Sequence, residues 1–159
     1  MSALPDRPNI LYIHSHDSGR YVQPYGYSVP TPNMQLLADQ GTLFRRAFCA
    51  APTCSGSRAA LLTGQHCHNN GMTGLAHRGW ELNDYGQHLV HPLKKAGYRT
   101  ILVGEQHISK DPGVIGYDEV RRLDSNLAGL VAPSALDAME GAQEPFFMSI
   151  GFFETHRDF

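Results

Sequence analysis

A disulfide framework is the first thing excluded. Only three cysteines, Cys49, Cys54 and Cys67, occur in 159 residues, and an odd number in a chain of this length points to a reducing compartment or to a special use for one thiol. No apolar run approaches the roughly 20 residues of a membrane span, and residues 1–8 hold no apolar core of the kind a signal peptide needs. The expectation is a soluble, cytoplasmic chain without a membrane partner. An excess of one charge is missing too: 13 Lys and Arg stand against 15 Asp and Glu, for a formal net charge of -2. With no basic run there is neither a nucleic-acid footprint nor a polybasic membrane patch, which leaves a small molecule as the expected partner. Repeats and low-complexity tracts are also absent, and the length suits one domain with a sizeable core.

What is present is a set of short apolar runs, each closed by polar residues. Asn9-Ile10-Leu11-Tyr12-Ile13 reads as a first, central strand, followed by His14-Ser15-His16-Asp17. Residues 31–41 carry Thr31 at the cap, Pro32 at the first helical position and Gly41 past the end, which predicts a short helix. A short strand is expected over 43–48, and residues 65–87, rich in Gly, Asn and His, read as mostly loop. A helix should run through 87–97, with Pro92 favouring a start near His91. Residues 99–104 form the second strong strand, closed by Glu105-Gln106-His107. A short helix is expected around 134–139, and residues 145–153 give a third buried strand that ends in Glu154-Thr155-His156-Arg157-Asp158. Apolar runs alternating with helices predict an α/β fold with a mostly parallel sheet covered by helices on both faces.

Two features carry chemistry. Ligands of open α/β sheets bind outside the carboxyl ends of the strands, so His14, His16 and Asp17, then His107, then His156 should meet at one edge. Asp17 beside His16 suits a divalent-metal site. The second feature is Cys54, placed just before the helix-forming run Ser57-Arg58-Ala59-Ala60-Leu61-Leu62. A helix N-terminus and Arg58 would both favour its thiolate, which makes it a reactive candidate. A small buried cysteine beside an ordinary helix start fits the same local features. His66-Cys67-His68 lacks partner ligands at metal-site spacing and is assigned a structural or surface role.

Cys54-Ser55-Gly56-Ser57-Arg58, followed by Thr63-Gly64, resembles the sulfatase signature Cys-x-Pro-x-Arg with its Thr-Gly pair. Arg7-Pro8-Asn9-Ile10-Leu11 looks like that family's opening strand, Thr31-Pro32-Asn33-Met34 like its "TPN" helix, and Gly104-Glu105-Gln106-His107 like its "GKWH" segment. Within the family, Asn70-Gly71-Met72, Ala96-Gly97-Tyr98-Arg99-Thr100 and Phe152-Phe153-Glu154-Thr155-His156-Arg157 point to the heparan N-sulfatase (sulfamidase) branch and its bacterial members. The resemblance implies an alkaline-phosphatase-like fold and a hydrolase for sulfate esters or sulfamates, with an aryl, sugar or sulfamate substrate. It implies that Cys54 is oxidised to formylglycine by dedicated generating machinery and that the hydrated aldehyde attacks sulfur. A divalent cation, most readily Ca2+ with Mg2+ as another option, would neutralise the sulfuryl oxygens. Carried over, Arg58 would hold the nucleophile, His107 would contact nucleophile or sulfate, and His156 would contact sulfate or protonate the leaving atom. Asp17, His16 and the modified Cys54 would bind the metal.

Three positions depart from that pattern. Gly56 stands where Pro or Ala is usual, His16 offers nitrogen where calcium prefers oxygen, and Glu105 replaces a catalytic Lys. A carboxylate there repels sulfate unless it binds metal or turns away. Residues 1–159 are expected to be the N-terminal portion of a catalytic domain, with exposed apolar surface and with activity absent or dependent on another chain. Two other readings remain open: a phosphonate or phosphate monoester hydrolase of the same superfamily, and an inactive homologue serving as a binding module. A cysteine-phosphatase loop needs a longer gap than the three residues between Cys54 and Arg58.

Overall fold

The computed structural model describes residues 7–156. Four strands, β1 (Ile10–His14), β2 (Arg99–Gly104), β3 (Glu119–Arg121) and β4 (Phe146–Gly151), form one sheet in the order β1-β4-β2-β3, with every pairing parallel. The helices are α1 (Pro32–Gln40), α2 (Cys54–Thr63), α3 (Cys67–Asn70), α4 (Val90–Lys95) and α5 (Ala128–Gly141).

Alternation along β4 sorts the core into two layers, because successive side chains of a strand point to opposite faces. Phe147 joins Ala59 and Leu62 of α2, Val90 of α4, and Met72, Leu82, Ile108 and Ile115 on one face. Phe146, Met148 and Ile150 join Ile101 and Val103 of β2 and Val131, Ala135 and Ala138 of α5 on the other. The spacing of those α5 residues is one face of a helix, and that face covers the sheet. The expected α/β architecture is therefore present, with helices on both faces of a parallel sheet.

Several expectations are corrected. β1 is not central: among the described residues its sole strand partner is β4, and Ile10, Leu11 and Ile13 are exposed, Ile13 by 56%. An apolar run marks a strand, but its place in the sheet depends on how many neighbours pair with it. Residues 43–48 form turns and irregular chain instead of a strand, and Phe48 is exposed. β3 was not anticipated, since three residues of mixed polarity carry no periodic signal. α5 runs 14 residues, well beyond 134–139, and contains Pro133. Its first N–H, that of Ala128, is satisfied from outside the helix by Glu154 Oε1 at 2.8 Å, a carboxylate at a helix N-terminus. The 31–41 helix forms between Thr31 and Gly41 as expected, although Thr31 Oγ1 accepts from Gln23 N at 2.9 Å instead of capping. Residues 65–87 fold into α3 and two single turns of 3-10 helix.

Among the described residues, no helix is long and apolar enough to cross a membrane.

Candidate functional site

Register builds the site. His14 of β1 pairs with Gly151 of β4, which pairs with Gly104 of β2, so three strands end in one row. The segments that follow leave the sheet side by side and are bonded together. Glu105 N donates to Gly151 O at 2.9 Å, Phe152 N to His14 O at 3.0 Å, His16 N to Glu154 O at 2.8 Å, and Thr155 N to His16 O at 2.8 Å. Such close passage needs glycine: a Cβ on Gly151 would stand 1.9 Å from Glu105 O, and one on Gly104 2.2 Å from Gly151 O. Asp17 and His107 both adopt left-handed backbone, at φ 51° and 55°. Asp and His tolerate that region better than most residues.

The first part of the site is a cleft of about 370 Å³ lined by Tyr12, His14, Ser15, Asp17, Cys54, Ser57, Arg58 and their neighbours. Cys54 is the first residue of α2, half-buried, and opens on this cleft instead of the core. One turn on, Arg58 is only 9% exposed. Its guanidinium contacts His14 Nδ1 and donates to Ser15 O at 3.4 Å. Among the described residues no carboxylate pairs with it, and a buried cation without a counter-charge is a receptor for an anion. Burial first, and the Arg58 charge second, lower His14 to about 3, so the ring stays neutral and can accept from the guanidinium.

The second part adjoins the first and centres on His16, a buried side chain whose ring lies 5.0 Å from that of His156 and 5.8 Å from that of His107, between centroids. Ligand-capable atoms of His16, Asp17 and His156 lie within 4.8 Å of one another, as do those of His16, Glu105 and His107. Burial, then Arg58, lower His16 to about 4. Burial likewise lowers His107, with Glu105 pulling the other way. Both rings are neutral near pH 7, the form that binds metal.

All seven residues singled out in the sequence therefore lie at one edge of the sheet. Cys54, Arg58, His14 and Asp17 line the cleft, His16, His107 and His156 form the cluster, and Asp17 belongs to both. Glu105 does not turn away: Asn126 Nδ2 donates to its Oε2 at 2.9 Å, with its carboxylate among the histidines. Sequence reasoning missed His14 as the partner of Arg58, and also His77, whose Nδ1 shares a 2.9 Å hydrogen bond with His107 Nε2. Nothing in the loop around His77 signalled a contact 30 residues away. His66 and His68 are exposed and Cys67 is buried with Sγ donating to Gly56 O at 3.3 Å, the structural or surface role expected. Gly56 has a packing reason as well, since a Cβ there would stand 3.1 Å from Met72 O and 3.2 Å from Cys67 Sγ.

Fold and site together define an α/β protein with an arginine-bearing cleft beside a histidine and carboxylate cluster at its strand ends. Residues 8–159 match the family model described as Sulfatase, and the chain belongs to the sulfatase family. It is 31% identical over 159 residues to human N-sulphoglucosamine sulphohydrolase, covering 94% of this chain and 32% of that protein. It is 38% identical over 126 residues to human N-acetylgalactosamine-6-sulfatase, covering 70% and 24%. A solved structure of a protein in complex with its substrate D-glucosamine-2-N,6-O-disulfate is similar with TM-score 0.83 and 25% identity, over 96% of this chain and 35% of that one. The structure of a 2-O GAG sulfatase, at TM-score 0.75 and 22% identity over 95% and 36%, bears on the fold alone. The chain spans about a third, or less, of the length of these curated relatives.

Proposed function

We propose that this chain carries the nucleophile side of a site that hydrolyses sulfate esters or sulfamates. The single observation behind the proposal is the buried Arg58, paired with no carboxylate among the described residues and facing the same cleft as Cys54 and Asp17. A sulfuryl group is an anion with oxygens to be gripped, and a planar guanidinium suits them. Sulfated amino sugars are the favoured substrate class, supported by the sulfoglucosamine-processing relative and by the glucosamine disulfate bound in the similar structure.

In this reading Arg58 binds the sulfuryl oxygens, and neutral His14 keeps the guanidinium aimed into the cleft. Converted to formylglycine, residue 54 would supply an oxygen nucleophile, and the accessible position of Cys54 on the cleft fits that conversion by external machinery. His107 contacts the nucleophile or the sulfate, and His156 donates the proton that the leaving oxygen or nitrogen needs. Asp17 and His16 would hold a divalent cation, which when bound neutralises charge developing on the sulfuryl oxygens. The donor set fits a divalent ion, but calcium seeks six to eight oxygens, and Asp17 is the one carboxylate with His16 and His156 in that group among the described residues. A reducing, cytoplasmic setting accords with three thiols, none of which is paired.

Mass spectrometry of the tryptic peptide spanning 47–58, from a host with the generating machinery, tests the reading. An aldehyde at position 54 with an intact thiol at Cys49 is expected; an unmodified Cys54 overturns it. Preference for aryl phosphate over aryl sulfate would shift the assignment to phosphate monoesters.

A further inference from the structure

We propose that His16, Glu105 and His107 form a binding site for a first-row transition cation, with Zn2+ as its representative, an alternative to the use of His16 with Asp17 and of His107 at the sulfate described above. The three donors come from the ends of β1 and β2, which the register places on either side of β4. Their ligand-capable atoms already lie within 4.8 Å of one another. Donors around one tetrahedral zinc stand roughly 3.4 Å apart, so the group closes on an ion by shifts of an ångström or so.

Each donor is held by its neighbours. His16 is 2% exposed, and its backbone is bonded on both sides to the segment after β4. Glu105 accepts from Asn126 Nδ2 at 2.9 Å through Oε2 and from Gln106 N at 3.1 Å through Oε1, which leaves lone pairs on both oxygens. His107 engages His77 through Nε2, while its Nδ1 is buried and has no hydrogen-bond partner among the described residues. A histidine with one ring nitrogen held by a neighbour and the other unpartnered has the arrangement that second-shell partners impose on metal ligands. A buried ring nitrogen without a partner is costly unless something binds it. Two imidazoles and one carboxylate suit zinc and its neighbours rather than an oxygen-seeking calcium ion. The unusual acid at position 105 thus acquires a role: it completes a nitrogen and oxygen site around the equally unusual His16.

Isothermal titration of the whole chain with Zn2+ and, separately, with Ca2+ tests the site. One Zn2+ per chain is expected, bound at least about a hundredfold more tightly than Ca2+. Glu105→Gln should weaken Zn2+ at least about tenfold, and Asn126→Ala, which frees the carboxylate without removing a donor, should weaken it about tenfold. Zinc K-edge absorption should show two imidazole ligands at about 2.0–2.1 Å. The double variant H66A/H68A, which removes the exposed histidines, should bind as the parent does. Circular dichroism confirms that each variant is folded; should Glu105→Gln unfold, Asn126→Ala and the absorption spectrum decide. No Zn2+ uptake, affinity unchanged in both Glu105→Gln and Asn126→Ala, or loss of binding in H66A/H68A overturns the proposal. Titration reads the ion alone, so the site does not depend on sulfate hydrolysis: an aldehyde at 54 without zinc binding sinks only this inference, and zinc binding without an aldehyde sinks only the hydrolase.

Discussion

β4 and β1 are neighbours in one sheet and read alike as apolar runs, yet every residue of β4 is buried while β1 exposes most of its length. β4 is paired on both sides and sandwiched between α5 and the α2 and α4 layer. Among the described residues β1 has β4 alone, and α1, which follows it, buries none of its residues. The difference shows that stability and chemistry have separate addresses. The middle strand holds the domain together, whereas the outer strand contributes little by its body and much by its end, where His14, His16 and Asp17 turn into the site.

The largest effect that would sharpen this contrast is Phe147→Ala on β4. Phe147 is fully buried among Ala59, Leu62 and Met72, and its loss should cost about 3–5 kcal/mol in urea unfolding. A cost below about 1 kcal/mol would mean that β4 is not the centre it looks to be. The layer over Phe147 offers a pH test. Tyr117 stacks on Phe147, and His88, fully buried against Tyr117, accepts from Val90 N at 3.2 Å. Burial, with His91 adding to it, lowers His88 to about 4. Folded His88 thus stays neutral where the unfolded chain takes up a proton, so its share of stability is complete above about pH 6.5 and is lost as pH falls toward 4. Replacing His88 with Gln should shrink the difference in unfolding free energy between pH 7 and pH 5 by about 2 kcal/mol.

A smaller effect is expected where α2 meets its cover. Gly56→Ala places a methyl group 3.1–3.2 Å from Met72 O, Ala51 and Cys67 Sγ, and should cost about 1–2 kcal/mol, read from the urea midpoint. The smallest belongs to the edge: Ile13→Ala on β1 should cost less than about 1 kcal/mol, because more than half of that side chain is already in water. A loss at Ile13 as large as at Phe147 would break the comparison outright.

Much of the site was legible because its residues sit at punctuation marks in the sequence. Cys54 before a helix-forming run, and His16, His107 and His156 after apolar runs, are local signals that a strand or helix ends there, and the C-terminal edge of a parallel sheet gathers such ends. Glu105 was legible as an oddity but not as a ligand candidate, because its relation to His16 depends on register across β4. His77 and Asn126 were illegible: one lies in a single 3-10 turn and the other in an irregular stretch, and each reaches the site through a side-chain hydrogen bond to a residue 30 or 21 positions away.

Composition and pattern alone determined that this chain builds a parallel α/β sheet with its polar chemistry at the strand ends, because apolar periodicity and strand punctuation act over a few residues. Only the tertiary structure decided that, among the described residues, β1 lies at the edge, Arg58 is buried without a carboxylate partner, and Glu105 joins the histidines. Those facts depend on strand order and register, and both are set by the packing of segments about a hundred residues apart, whose separation along the chain says nothing about which will pair.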